Sequence, residues 1–195
     1  MNTMTHSARS AATMTVDEFL LRDVPEGKAE LVRGELRVTL PAGGPHATVL
    51  SNLIALLVPY VTHHRLGRVF GDGTGYELVQ FPHTVRVPDL SFVSAGRLPA
   101  GGIGPGLFTW APDLAVEVVS PNEGPSALRE KVDDFRAAGT RLVWVIDPRS
   151  RTVTVVAGNT SLSVLRDDEP LDGGDVIPGF SCRVADLFDG LASDR

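Results

Sequence analysis

The sequence predicts a single mixed α/β (α+β) domain that contains a central strand covered by helices. Its 195 residues suit one domain with a substantial core. A hydrophobic content of 43% and a charged content of 22% are typical of a globular chain rather than a disordered one. Strand-like and helix-like segments follow one another without a repeat, linker or low-complexity tract. We therefore expect one folded domain at residues 15–190, preceded by a disordered tail at 1–14.

The first half of the chain predicts a short helix, a hairpin and a long helix. Residues 15–21 open with a threonine that can cap a helix and with acids in the first turn. Residues 28–40 alternate around Arg33-Gly34, which indicates two short strands joined by a tight turn, an N-terminal hairpin. Residues 46–65 carry aliphatic side chains at helical spacing, and we expect Pro59 to kink or end this helix.

The second half of the chain predicts mainly strands. We expect them at 68–70, 76–81, 84–93, 114–119, 141–146, 152–157 and 162–165. The unbroken apolar character of 114–119 indicates burial on both faces, as in a central strand covered by helices. A helix at 126–138 begins after Gly124-Pro125 and ends at Gly139, and a short helix is expected at 184–188.

Composition argues against several classes of protein. The net charge of −6 is spread along the chain, so no basic patch for tight non-specific binding of nucleic acid is evident. The only cysteine is Cys182, which excludes an intrachain disulfide and a cysteine-based metal site and fits a reducing compartment. The first fourteen residues lack the apolar core of a secretory signal, and the most apolar stretch, VLSNLIALLVPYV, is too short for a bilayer. We expect a cytoplasmic protein without a membrane partner.

Three strand-like segments each carry an acid among apolar residues. Glu117 lies in PDLAVEVVSP, Asp89 lies in TVRVPDLSFV, and Glu30 lies in KAELVRGEL. A lone ionised carboxylate is very costly to bury, so Glu117 has three interpretations: an exposed strand edge, a structural salt bridge or a functional site. Pro88 removes a backbone donor just before Asp89, which is typical of an edge or of a bulge that redirects a side chain.

Acids on three strands also provide the ligands that a hard cation needs. Mg²⁺ prefers oxygen ligands and usually takes one or two carboxylates, with water or substrate phosphate completing its shell. For Glu30 the alternative is an ordinary charge on an exposed hairpin.

Lys131 is the second unusual charge in the sequence. On a helical projection of about 100° per residue it falls between Phe135 and Ala138, inside the apolar stripe of the predicted helix. A lysine there can lay its stem along the core and present its ammonium at the buried rim, although a side chain that reaches solvent is the alternative. The chain has only two lysines, Lys28 and Lys131, against sixteen arginines.

A resemblance to a known family rests on five ordered pieces, AELVRGEL, GGPH before a long helix, VPDLSFV, PDLAVEVVSP and REKVDDFRAAGTRLVWVIDP. Together they resemble the Uma-type family of candidate endonucleases, in the restriction-endonuclease-like PD-(D/E)XK superfamily. The resemblance runs from about residue 16 to 188 and includes GDVIPGFSCRVADLF near the end. It implies a restriction-endonuclease-like mixed sheet, flanked by helices, that presents the acids at one pocket.

The resemblance also implies the ligands of a metal ion. Pro88-Asp89 matches the PD element, so Asp89 would be one ligand. Glu117 matches the acid of the (D/E)XK element and would be the second. Glu30 matches an early glutamate of the family and would complete the site.

The lysine of the superfamily pattern departs from its usual place. It would fall at Val119, which has no ammonium. Members of the family resembled supply a lysine from the following helix, and Lys131 matches that position. His46 stands where the family often has a histidine at a helix start, so it is a further candidate for the pocket, although polar packing is its alternative.

The expected activity is metal-dependent hydrolysis of nucleic-acid phosphodiester bonds, with DNA as the expected substrate and Mg²⁺ or Mn²⁺ as the cation. The alternatives are a catalytically silent interaction module with the same fold and a metal-dependent hydrolase of smaller phosphate esters. A homodimer is expected because many small nucleases address two strands. The acidic net charge counts against a nuclease, which usually neutralises several phosphates. The arginines that could line a groove are Arg33, Arg37, Arg65, Arg68, Arg86 and Arg129.

Overall fold

The computed structural model describes residues 13–23, 27–158 and 161–192. Apart from its last two residues, the tail predicted at 1–14 lies outside these ranges. The helices are α1 (Val16–Leu20), α2 (Gly44–His63) and α3 (Pro125–Ala137), with 3₁₀ helices at Ala95–Arg97 and Val184–Phe188. The strands are β1 (Lys28–Val32), β2 (Glu35–Thr39), β3 (Gly67–Phe70), β4 (Tyr76–Gln80), β5 (His83–Arg86), β6 (Leu90–Ser94), β7 (Leu114–Val118), β8 (Leu142–Asp147), β9 (Thr152–Ala157), β10 (Ser161–Arg166), β11 (Pro170–Asp172) and β12 (Ser181–Arg183).

Most of the strands belong to two sheets. A six-stranded mixed sheet has the order β10-β9-β8-β7-β6-β3, and a four-stranded antiparallel sheet has the order β2-β1-β5-β4. Among the described strands, β7 and β8 form the only parallel pair, and α3 makes the crossover that a parallel pair requires. The prediction of a mixed sheet flanked by helices, with an N-terminal hairpin, is confirmed.

The N-terminal hairpin forms because its turn residues adopt the left-handed conformation. Arg33 has φ 51° and Gly34 has φ 79°. Positive φ at both central residues is the feature of the type I′ turn, whose twist matches that of the two strands. The hairpin then joins the four-stranded sheet through Leu31, which pairs with Val85 of β5.

Strand β7 is buried on both faces, as its apolar run predicted. Every second side chain, beginning with Leu114, packs into the main core that α2 covers. Ala115 packs instead with Phe135 of α3 on the other face. Because successive side chains of a strand point to opposite faces, Glu117 is directed towards α3.

Helix α2 is the one described helix that is long and apolar enough to cross a membrane, with a mean hydropathy of 1.3. It begins at Gly44 and continues past Pro59 to His63, so it is longer than the apolar stretch considered above. Its side chains in the core are Val49, Leu53, Leu57 and Val61. Their four-residue spacing is that of a helix packed against a domain core, a role that explains its apolar composition.

The prediction of a single strand at 84–93 is wrong. The segment forms β5 in the four-stranded sheet and β6 in the six-stranded sheet, with residues 87–89 as the link. An apolar run indicates burial but does not indicate which sheet receives it. Strands β11 and β12 were not predicted, because three residues are too few to show a period.

Candidate functional site

Asp89 lies in the link between the two sheets, and β7 fixes its position. Its backbone N–H donates to the carbonyl of Val116 at 3.0 Å, and its Oδ2 accepts a hydrogen bond from the N–H of Val118 at 2.7 Å. Pro88, which has no N–H, precedes it between the two ladders. Asp89 is therefore held beside Glu117, which lies between those two residues of β7.

Glu117 is a buried carboxylate, and only one of its two oxygens has a hydrogen-bond partner among the described residues. The residue is 2% exposed, and its Oε2 accepts a hydrogen bond from the ammonium of Lys131 at 3.1 Å. Its Oε1 is buried and meets no hydrogen-bond partner within the described part of the chain. Burial raises the pKa of Glu117 to about 8; the charge of Lys131 opposes this rise and the charge of Asp89 adds to it. A buried polar atom without a partner is rare, so Oε1 marks a position for a proton or a cation.

The ammonium of Lys131 is surrounded by carboxylates. It lies 3.1 Å from Glu117, 3.3 Å from Glu123 and 3.7 Å from Glu30, and its side chain is almost fully buried. Burial by itself would lower the pKa of Lys131, but the three carboxylates together raise it above its usual value. Lys131 is therefore a fixed cation rather than a proton acceptor, and the alternative of a side chain in bulk solvent is excluded.

Glu30 lies behind this lysine and is held by the link between the sheets. Its Oε1 accepts from the N–H of Val87 at 2.8 Å, and its Oε2 accepts from Nη1 of Arg86 at 2.9 Å. The residue is buried, so it is not an ordinary charge on an exposed hairpin. In the regions that the structure describes, no three His, Cys, Asp or Glu side chains are grouped as they would be around a metal ion. A ligand role for Glu30 stays a prediction, and its observed contacts support Lys131.

Two further side chains, those of Lys28 and His46, also contact Asp89. The ammonium of Lys28 contacts Oδ1 of Asp89 and lies 2.8 Å from Oδ1 of Asp72. The Nε2 atom of His46 lies 3.0 Å from Oδ2 of Asp89 and is the donor, because an ionised carboxylate only accepts. Burial alone would raise the pKa of Asp89, but the hydrogen bond from His46 and the ammonium of Lys28 hold it well below its usual range.

A cavity of about 740 Å³ is lined by these groups. Its polar lining includes Lys28, His46, Asp89, Glu117 and Lys131. Its apolar lining includes Phe19, Leu20, Leu50 and Leu107. The volume is in the usual range of about 300–1,000 Å³ for pockets that take small molecules or cofactors.

The structure brings together four of the five predicted site residues at one cavity and puts Glu30 directly behind it. Sequence reasoning missed Lys28 and its partner Asp72, and it also missed Glu123. A signal for Lys28 was available, since it is one of only two lysines and both reach this site. The catalytic and metal-binding roles of the five predicted site residues remain predictions.

The predicted arginine groove needs a correction. Arg86 is buried and bonded to Glu30 and Asp134, so these two carboxylates neutralise its charge although it lines a second cavity together with Arg37. Arg33 and Arg37 both pair with Glu130, which neutralises part of their charge.

The mixed sheet and its helices define a restriction-endonuclease-like fold. The model of the Uma2 family, described as “Putative restriction endonuclease”, matches residues 16–185. Because the match spans most of the chain, the protein belongs to the Uma2 family.

A solved structure shares this fold. The crystal structure of a “putative nuclease belonging to DUF820” from Anabaena variabilis ATCC 29413 has a TM-score of 0.79 to this chain. The two sequences are 24% identical over 90% of this chain and 97% of that one. At this identity the likeness demonstrates the fold alone. No curated protein matches the chain.

Proposed function

We propose that this protein is a metal-dependent nuclease that hydrolyses phosphodiester bonds, with DNA as the expected substrate and Asp89 and Glu117 as the ligands of Mg²⁺ or Mn²⁺. The family description supports a nuclease. The observation that carries the metal-dependent part is the buried, unpartnered Oε1 of Glu117 beside Asp89.

The residues present fit a divalent cation. Asp89 and Glu117 supply two carboxylates from two chain segments that are hydrogen-bonded to each other. One or two carboxylates are the usual protein contribution to a Mg²⁺ site. A bound cation would give Oε1 of Glu117 a partner, which this buried oxygen lacks among the described residues. A bound cation would polarise a phosphate oxygen and lower the pKa of an attacking water.

The chain's own residues would act around that water and phosphate. Lys131 is fixed by Glu117 and Glu123, so its charge could stabilise the negative charge that develops on the phosphoryl group. Glu30 would help to hold the Lys131 ammonium in place through its charge. His46 would hold Asp89 through Oδ2 and so fix the direction of the other oxygen.

The decisive experiment measures cleavage of supercoiled plasmid and of single-stranded DNA by the purified full chain, in Mg²⁺, Mn²⁺ or EDTA. We expect Asp89→Asn and Lys131→Met to lose at least about 100-fold in rate, since outer-shell partners alone are worth about 10–100-fold. The matched control is Asp168→Asn, which removes the same charge from an exposed position far from the cavity lining.

The outcomes separate the alternatives. Cleavage that persists unchanged in Asp89→Asn would come from a contaminant and overturn the proposal. DNA binding without cleavage under any metal condition would favour a silent interaction module. Turnover of bis(p-nitrophenyl) phosphate without cleavage of DNA would favour a hydrolase of smaller phosphate esters, which the acidic net charge would also suit.

A further inference from the structure

Lys28 differs from Lys131 in having one of its partner acids at the protein surface. It is the first residue of β1, and its ammonium contacts Oδ1 of Asp89 while lying 2.8 Å from Oδ1 of Asp72. The Lys28 side chain is 19% exposed and that of Asp72 is 55% exposed. The ammonium thus stands between a buried acid and an acid at the protein surface.

The ammonium of Lys28 contacts Oδ1, the oxygen of Asp89 that neither His46 nor Val118 contacts. Oδ2 of Asp89 is already occupied by His46 and by the N–H of Val118. A cation that binds Asp89 must therefore use Oδ1, the atom that Lys28 contacts. An ammonium and a divalent cation on the same oxygen repel each other strongly in a partly buried site.

We propose that Lys28 is an internal counter-ion that occupies the cation position at Asp89 and moves onto Asp72 when a divalent cation binds. This inference rests on the proposed metal site. It assigns Lys28 a role as a competitor of the metal, with Asp72 as the acceptor of the displaced ammonium.

The local structure allows the exchange. The ammonium already contacts both acids, so the flexible lysine stem needs to move only a short distance to transfer fully to Asp72. Asp72 is flanked by Gly71 and Gly73, and an added Cβ at either glycine would meet no atom within 4 Å. The surroundings of this turn are open, and the N–H of Gly73 donates to Oδ1 of Asp72 at 3.0 Å, which holds the carboxylate where it can receive the ammonium.

Lys131 provides the contrast. Its ammonium has Glu117, Glu123 and Glu30 within 3.7 Å, and its side chain is 5% exposed. The most exposed of these three acids, Glu123, has a side chain that is only 12% exposed. The two lysines of the site therefore have distinct tasks, one fixed and one exchangeable.

The test is calorimetric titration of the full chain with MnCl₂, which reports binding independently of catalysis. We expect Lys28→Met to bind Mn²⁺ at least about 5-fold more tightly, the lower end of the usual range for coupled sites. We expect Asp72→Asn to bind it more weakly, because the displaced ammonium then has no acceptor. Arg68→Met is the control for general loss of positive charge, since Arg68 is exposed and pairs with Val93 at the opposite end of β6 from Asp89.

The double variant Lys28→Met/Asp72→Asn distinguishes exchange from simple charge effects. If Asp72 acts by receiving Lys28, the Asp72 substitution has no further effect on Mn²⁺ affinity once Lys28 is absent. If Asp72 acts only through its charge, it weakens binding equally in both backgrounds, and the inference is overturned. The Asp72→Asn comparison lies at an exposed position, so it remains informative should Lys28→Met fold poorly.

The failures of the two proposals can be told apart. Binding of Mn²⁺ by the wild-type chain that is unchanged or weaker in Lys28→Met would overturn the role of Lys28 alone. Absence of Mn²⁺ binding in the wild type and in every variant would overturn the metal site, and the exchange with it.

Discussion

The ammonium of Lys131 lies 3.1 Å from Oε2 of Glu117, although one residue belongs to α3 and the other to β7. The strand alternation that packs Ala115 against Phe135 also directs Glu117 to the face that α3 covers. The apolar contacts of this face therefore bring two opposite charges together in a buried position. Glu117 depends on this contact most, because Lys131 is its one observed hydrogen-bond donor among the described residues, whereas Lys131 also lies near Glu123 and Glu30.

Lys131→Met should reduce the free energy of unfolding by about 1–3 kcal/mol, the usual cost of leaving buried polar groups without a partner, because Glu117, Glu123 and Glu30 would all lose the ammonium they share. Glu117 would lose its only observed hydrogen-bond donor among the described residues. Urea denaturation in EDTA measures the loss. The double variant Lys131→Met/Glu117→Gln should recover part of it, because the amide carries no charge. A double variant as unstable as the single one would contradict this explanation.

Arg86→Met should be destabilising, by about 3–5 kcal/mol, because two carboxylates would lose a buried guanidinium. Arg86 is 2% exposed and donates to Glu30 at 2.9 Å and to Asp134 at 2.6 Å. Arg33→Met is the matched control. Its side chain is 55% exposed and it pairs with Glu130, so its removal should cost no more than about 1 kcal/mol. Equal losses in the two variants, measured by urea denaturation, would rule out burial as the cause.

The sequence was sufficient for the parts of the fold and site that depend on local pattern. Alternation around Arg33-Gly34 predicted the hairpin, since this turn type needs residues that accept positive φ. The position of Lys131 in the apolar stripe predicted its burial, because helix geometry fixes which residues share a face. The acid within a fully apolar run predicted that Glu117 would need a partner.

The parts that escaped prediction depend on contacts between distant segments. Lys28 begins a strand, and nothing in its neighbourhood along the chain indicates an approach to Asp89, 61 residues away. That approach exists because the link after β5 changes sheets beside β7, and a local apolar run carries no information about sheet order. The buried ion pairs of Arg86 escaped prediction for the same reason, since its partners come from β1 and α3.

Asp113 should make stability depend on acidic pH. Its Oδ2 accepts from the N–H of Ser94 at 2.8 Å, and its Oδ1 accepts from Arg97 at 2.9 Å and from Arg141. Burial would raise the pKa of Asp113, but these hydrogen bonds, that from the Ser94 backbone foremost, lower it below its ordinary value of 3.8. A carboxyl with a lowered folded-state pKa contributes stability above its unfolded pKa and loses it as the pH falls through the folded one.

Asp113→Asn should therefore be less stable than the wild type by about 1.5–3 kcal/mol at pH 7, the range for hydrogen bonds to a charged group. The difference should shrink as the pH is lowered below about 4, where the unfolded carboxyl takes up its proton. Urea denaturation at several pH values measures it. Asp168→Asn, at an exposed position, should follow the wild type throughout. If the difference in free energy of unfolding between the wild type and Asp113→Asn stays constant down to about pH 2, well below the unfolded pKa, the charge of Asp113 does not contribute to stability.

On the proposed function, in which Asp89 binds the cation, His46→Ala should lower the cleavage rate about 10- to 100-fold, the usual effect of removing a partner that orients a metal ligand. Without the 3.0 Å hydrogen bond to Oδ2, Asp89 keeps only the N–H of Val118 on that oxygen, so the carboxylate can turn and Oδ1 loses its fixed direction. We expect kcat to fall and the Mn²⁺ concentration needed for half-maximal rate to rise, with KM for DNA unchanged.

His46→Gln should recover part of the rate, because its amide can donate to the same oxygen. His63→Ala, at the exposed far end of the same helix, is the control for loss of an imidazole from α2. If His46→Ala and His46→Gln both raise KM for DNA and leave kcat and the Mn²⁺ requirement unchanged, then His46 contacts the substrate instead of positioning Asp89.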